Sequence, residues 1–128
     1  MPTHTSVLSQ KLAVLVMEED QLALRLHGQS FIQQKLNSLS KTREMLWEIV
    51  APFGTIKSYG AFYYLVPVPN SVSDNDAVDI LATKFKILVM PGSPFGAPGF
   101  LRISYGNIPS QDVLNDLSRG LHYIREFA

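Results

Sequence analysis

The apolar positions of this 128-residue chain change period along its length, and the changes divide it into elements. From Ser9 to Leu26 the pattern is helical: Leu12, Leu15, Val16, Leu22 and Leu26 share one broad stripe, with Lys11, Glu18, Glu19 and Asp20 largely off it. Ala13, Val14, Met17, Ala23 and Leu24 make the flanks apolar too, so this helix expects partners on more than one side. His27 and Gly28 break the pattern, with Gly28 suited to a helix C-terminus. A second helix is predicted from about Ser30 to Val50, where Ile32, Leu36, Leu39, Leu46, Ile49 and Val50 recur at helical spacing; Pro52 and Gly54 stop it. At roughly 30 Å it is long for a chain of this size, and suits a helix that connects two bodies.

After Gly54 the period becomes two. Thr55 to Val68 reads as a strand, with Phe62, Tyr64 and Val66 on one face and Ala61, Tyr63 and Leu65 on the other. Pro67 and Pro69 end it or place it at an edge. Ser73, followed by Asp76, starts a helix through about Phe85, with Val78, Leu81 and Phe85 inward. Ile87 to Met90 is the next strand, and Phe100 to Tyr105 another, joined by a bridge rich in Pro and Gly. No helix N-terminus follows that bridge, so it reads as a turn and not as a phosphate cradle. Pro109 and Ser110 open a last helix striped by Val113, Leu114, Leu117, Leu121 and Ile124. The order predicts an α+β fold: a small mixed or antiparallel sheet with helices packed on one face, preceded by a long interdomain helix. The expected division is a helical arm over 1–51 and a small C-terminal α+β domain over 52–128.

Composition narrows the function classes. Lys plus Arg and Asp plus Glu both number 11, so the net charge is zero, which removes the electrostatic case for nucleic acid or an anionic membrane. The absence of cysteine excludes a disulfide scaffold and thiolate metal sites, and fits a reducing compartment. The apolar run Leu12 to Met17 is too short to span a bilayer and has no basic region before it, so a soluble, cytoplasmic chain is expected. His4, His27 and His122 are scattered, with no spacing that would hold a metal.

Candidate chemistry centres on Arg102. Alternation puts Phe100, Arg102 and Ser104 on one face of the last strand and Leu101, Ile103 and Tyr105 on the other. Both faces are otherwise apolar, which predicts a covered strand with a guanidinium pointing inward. A buried arginine without an anion is costly, and it does not lose its proton to escape. The pattern alone leaves open an arginine that snorkels past an edge strand, or one paired with an acid of the chain. Tyr59, Phe62, Tyr63 and Tyr64 sit at strand spacing and suit either a pocket wall or a core, with core favoured for most of them.

Four segments in order, Tyr59 to Tyr63 (YGAFY), Ile87 to Gly92 (ILVMPG), Phe95-Gly96 and Gly99 to Tyr105 (GFLRISY), together resemble the C-terminal part of class I/II aminotransferases. These are pyridoxal-phosphate enzymes of fold type I that move an amino group from an amino acid to a 2-oxo acid, commonly as homodimers. The resemblance implies that residues 1–51 are the end of a large domain and the interdomain helix, including its Arg43, and that the last helix is the family's terminal one. It implies that Arg102, in the pattern G-x-x-R-I/L-S, binds the substrate α-carboxylate, which its planar fork accepts in a bidentate geometry. It also places His4 and Thr5 in a loop near the neighbouring subunit's active site.

The family's cofactor lysine follows a serine and precedes a Gly-x-Arg-x-Gly-Tyr segment. Ser38 and Lys41 spell S-x-x-K, but TREMLWEIV follows, helical and without glycine, so Lys41 is expected to face solvent. A β-lactamase reading of S-x-x-K fails for want of an S-D-N or K-T-G element. Lys11, Lys35, Lys57, Lys84 and Lys86 have no better setting. The expectation is the last part of an aminotransferase, begun just downstream of its cofactor lysine. Such a chain has no catalytic or cofactor-binding residue of its own, does not hold pyridoxal phosphate stably, and is inactive alone. The alternative is a non-catalytic α+β interaction or oligomerisation module, with the apolar first helix as its partner surface.

Overall fold

The computed structural model describes residues 6–127. Four helices, α1 (Val7–His27), α2 (Phe31–Val50), α3 (Asp74–Lys84) and α4 (Gln111–Phe127), accompany three strands, β1 (Tyr63–Pro67), β2 (Met90–Pro91) and β3 (Phe100–Ser104). The chain divides into two compact units, Met1–Ser38 and Leu39–Ala128, so the division falls within α2. None of the helices among the described residues is long and apolar enough to cross a membrane.

In the first unit, Gly28 ends α1 in the left-handed region at φ +66°, with its N–H donated to the Leu24 carbonyl at 2.9 Å. Asp20 ties α1 to the start of α2. Its carboxylate accepts the Ser30 hydroxyl and, at 3.1 Å, the Ile32 N–H, while Ser30 Oγ accepts the Gln33 N–H at 3.0 Å as the N-cap. The Ser30 bond, ahead of the backbone bonds, holds the Asp20 carboxyl below its ordinary range. No residue of α1 is buried. Its leucines and valines stand exposed, although the all-round apolar pattern of the sequence expects partners on more than one side.

The second unit is an antiparallel sheet in the order β1-β3-β2. The ladder pairs Tyr64 with Ile103 and Val66 with Leu101, and these four side chains are buried. They share one core with Leu46 and Val50 of α2, Ala77 and Leu81 of α3, and Leu114, Leu117, Leu121 and Ile124 of α4. This is the predicted α+β arrangement. Helix α3 starts as its sequence indicates: Ser73 Oγ accepts the Asp76 N–H at 3.1 Å. Gly120 lets α4 approach α3 closely, since a Cβ there would lie 2.4 Å from Leu81 Cδ2.

Three expectations from the pattern are corrected. The first strand is far shorter than Thr55 to Val68. Thr55 is engaged at the end of α2, donating its hydroxyl to the Val50 carbonyl at 2.9 Å, and Ser58 and Gly60 form a local turn. Ala61 then takes a left-handed φ of +59°, so Phe62 does not share the buried face of Tyr64 and Val66 and stands half-exposed. The second strand is not Ile87 to Met90 but Met90–Pro91, because Lys86 turns at φ +59° and the Ile87 N–H donates to the Leu81 carbonyl at 3.0 Å. The third strand is not covered on both faces. Leu101, Ile103 and Tyr105 are buried, but Phe100 and Ser104 on the Arg102 face are exposed, so the guanidinium points to an open face and not inward.

The turn between β2 and β3 is built on Gly92 and Asp74. A Cβ on Gly92 would fall 2.2 Å from the Ala97 carbonyl oxygen and 2.8 Å from that of Phe100. Asp74, buried at the start of α3, accepts the Ser93 N–H at 2.7 Å and the Ser93 hydroxyl on the same oxygen, Oδ2. The Ser93 hydroxyl bond, followed by the backbone bonds, outweighs desolvation and holds this carboxyl below its ordinary range.

Two measurements check this architecture. Leu101→Ala is expected to cost about 3 kcal/mol in denaturant unfolding, as a cavity in the core, whereas Leu65→Ala on the open face should stay within about 1 kcal/mol. Equal costs would mean that the outer face is covered as well. For Asp74 the native state binds its proton more weakly than the unfolded chain, so its contribution is full above the unfolded carboxylate pKa. That contribution is lost as pH falls through the depressed native value. Asp74→Asn should therefore flatten the acid limb of a stability-against-pH curve, and an unchanged slope would contradict the assigned bonds.

Candidate functional site

Strand parity places Arg102 on the open face of the sheet, where the register sets it opposite Leu65 of β1 and Met90 of β2. Tyr63 lies one pair further along on the same face, opposite Ser104, close enough for a diagonal contact. The Arg102 guanidinium carbon lies over the Tyr63 ring at 4.1 Å from its centroid and over the Phe95 ring at 4.4 Å, with the Phe62 ring further off at 5.8 Å. Phe62 and Tyr63 meet edge to face at 5.8 Å. The guanidinium is thus half-buried by aromatic faces rather than by the core. Among the described residues no carboxylate forms an ion pair with it.

This arrangement suits an anion. All five guanidinium N–H groups lie in the plane of the group, so rings over its faces take no donor away. Rings packed against the group shield part of it from water, and a planar carboxylate is the partner that its N–H groups accept in a two-bond fork. Tyr63, Leu65 and Phe100 also wall a groove of about 570 Å³ that continues past Ile56, Ser58 and Gly60 beside β1. The described residues contain no cluster of three or more His, Asp or Glu able to hold a metal ion.

The other sequence candidates fall elsewhere. His4 and Thr5 lie outside the described residues. Arg43, on α2, donates to the Ser40 hydroxyl at 3.1 Å and to the Tyr59 carbonyl at 3.5 Å, lies over the Tyr59 ring at 5.4 Å, and has Nε 3.7 Å from Glu44. Its Nε and the hydroxyl of Tyr64 are buried without a hydrogen bond to any described residue. Burial pushes the Tyr64 hydroxyl above its ordinary range, with Tyr105 adding to the rise. Of these four aromatics, most of which were expected in the core, only Tyr64 is buried there, between Trp47 at 5.6 Å and Tyr105 at 5.2 Å. Tyr59 and Phe62 are exposed and Tyr63 is half-buried, because no described element of the second unit covers their face. Lys41 is exposed on α2, as expected. Phe95 entered the sequence reading only through the resemblance, with no role at the site, and Asp74 carried no signal for it. One comes from an irregular turn, and the other reads only as part of a helix start.

The family described as aminotransferase class I and II matches residues 1–119. An aromatic aminotransferase of Arabidopsis thaliana is 32% identical over 117 residues, covering 88% of this chain and 28% of that protein. An aspartate aminotransferase of Bacillus sp. strain YM-2 is 33% identical over 86 residues, covering 57% of this chain and 22% of the other. Among solved structures, an aminotransferase from Staphylococcus aureus superposes with a TM-score of 0.63 at 22% identity, over 82% of this chain and 29% of that one. The aspartate aminotransferase of Rhizobium meliloti gives 0.60 at 24% identity, over 80% and 29%. These two show the shared fold. The chain spans between a fifth and a third of the length of these relatives. With the family matched over most of its residues, and the Arg102 strand inside the matched region, the chain belongs to the class I and II aminotransferases.

Proposed function

We propose that this chain contributes the substrate-carboxylate site of an aminotransferase, with Arg102 as the residue that binds the α-carboxylate of the amino acid and of the 2-oxo acid. The observation that carries this reading is the guanidinium itself: ring-flanked, on an open sheet face, and without an acid of the described chain to neutralise it. A carboxylate seated on its N–H edge gains two charge-assisted hydrogen bonds and a fixed orientation about the Cα to carboxylate axis. That orientation is what this chain's residues supply to the reaction. In this reading residues 1–51 form the end of a large domain and the interdomain helix, and 52–128 the small domain, of a homodimeric cytoplasmic enzyme, with His4 and Thr5 near the partner's site.

Enzymes of this family use pyridoxal phosphate, which supplies an electron sink when bound through a lysine. The described residues do not fit that group. Lys11, Lys35 and Lys41 are exposed on α1 and α2, and Lys57 pairs with Glu44 at 3.1 Å. Lys84 lies over the Tyr123 ring at 5.2 Å, and Lys86 donates to the Thr83 carbonyl at 3.0 Å. The chain on its own is therefore read as catalytically inactive and as holding no pyridoxal phosphate stably.

A second reading, an interaction module, is favoured by α1, which buries none of its apolar residues. Light scattering on the full chain tests this second reading. Self-association abolished by Leu12→Glu with Leu15→Glu supports the module, and a monomer at all concentrations removes it. The main reading is tested by titrating the full chain and Arg102→Lys with 2-oxoglutarate while following the β3 backbone amide resonances, which both proteins retain. Saturable movement is expected, weakened about tenfold or more in Arg102→Lys by loss of the fork. Equal binding by both proteins would overturn the role of Arg102. Added pyridoxal phosphate should give no saturable absorbance band, and a stoichiometric, lysine-dependent one would overturn the inactive reading.

A further inference from the structure

The turn that carries Phe95 has little apolar burial to hold it. Ser93, Pro94, Phe95 and Gly96 are all exposed, Phe95 at 49%, yet its ring lies 4.4 Å from the Arg102 guanidinium carbon. Hydrogen bonds hold the turn instead. The Phe95 N–H donates to the Gly92 carbonyl at 2.9 Å, and the Gly96 N–H donates to the Ser93 carbonyl at 3.1 Å. Both of those bonds lie inside the turn; the backbone bond to the body is at its base, where the Gly92 N–H donates to the Phe100 carbonyl of β3 at 2.7 Å, ahead of Ser93 and Phe95. The side-chain bonds from Ser93 to the body go to Asp74, which is 4% exposed and takes the Ser93 N–H at 2.7 Å together with the Ser93 hydroxyl. Its other oxygen accepts the Asn75 N–H at 3.1 Å, and no cation among the described residues pairs with it. A buried carboxylate without a counter-ion is stable only while those donors stay in place, so Asp74 and the turn constrain each other.

We propose that Asp74 is a positioning residue for Arg102: its carboxylate fixes the Ser93–Phe95 turn, and the turn fixes the Phe95 ring against the guanidinium. The consequence for binding rests on the carboxylate reading above. Arginine has a long, rotamer-rich side chain, and ordering it before the ligand arrives removes an entropic cost from binding. Tyr63 reaches the guanidinium from a paired strand and needs no tether. Phe95 reaches it from an exposed loop and does.

The test follows the Arg102 Nε–H resonance of the full chain without ligand, assigned through Arg102→Lys. An aromatic ring at this distance shifts that resonance, so Phe95→Leu sets the size of the effect. Asp74→Asn is expected to move it in the same direction by at least half as much, and Ser93→Ala, which keeps the amide bond, by less. Affinity for 2-oxoglutarate should fall roughly fivefold in Phe95→Leu and in Asp74→Asn, the scale of one exposed cation–π contact. A resonance that moves in Phe95→Leu and stays in place in a folded Asp74→Asn overturns the proposal. If Asp74→Asn does not fold, Ser93→Ala decides: an unmoved resonance there overturns it too. The resonance is read without ligand, so failure of 2-oxoglutarate to bind would sink the carboxylate reading and leave the tether to be judged by the shift.

Discussion

The antiparallel ladder between β1 and β3 decides, residue by residue, which side chains enter the core and which stay outside. Leu101 and Ile103 face α3 and α4, and Arg102 between them must face the other way. Burial of each of those two side chains is worth about 1.5–3 kcal/mol. A slip of one residue would expose both and drive the guanidinium into the core without an anion. The placement of Arg102 is thus enforced by its apolar neighbours and not by any partner of its own. The same parity delivers Tyr63 and Leu65 to its side of the sheet.

What surrounds Arg102 is graded in strength. A cation–π contact contributes roughly 0.5–1 kcal/mol when exposed and about 2 when desolvated. Hydrogen bonds to a charged partner contribute about 1.5–3 kcal/mol each. Rings therefore hold the guanidinium in place without satisfying it, and a carboxylate remains the stronger partner. The scaffold divides the labour accordingly. Regular strands supply Arg102 and Tyr63, and an irregular turn anchored through Asp74 supplies Phe95. Gly92 is required because carbonyl oxygens of Ala97 and Phe100 occupy the space a side chain would need.

The first unit is held by different physics. With no buried residue in α1, its local order rests on the glycine C-cap and on the Asp20 bonds to Ser30 and Ile32. These are contacts at helix ends, whereas the second unit is held by an apolar core. Helix α1 buries none of its apolar residues, although its pattern expects partners on more than one side.

Much of the architecture was legible because its causes are local. Gly28, Gly54 and Ser73 mark helix ends through backbone preferences that need no distant partner. The stripe of α4 and the alternation about Arg102 follow from periods of 3.6 and two. The segments from Tyr59 to Tyr105 were enough to indicate the aminotransferase family. Strand lengths were not legible, because they depended on whether Thr55 and Ile87 found ladder partners or bonded to α2 and Leu81. Nor was coverage: an apolar pattern on both faces of β3 says that both avoid water, but not which of them this chain covers. The tertiary structure decided that, leaving Tyr63 and Phe62 outside and bringing Phe95 onto Arg102 across a turn with no period to read. The sequence determined which residues alternate; only packing across the sheet determined what each face meets, because that depends on elements distant along the chain.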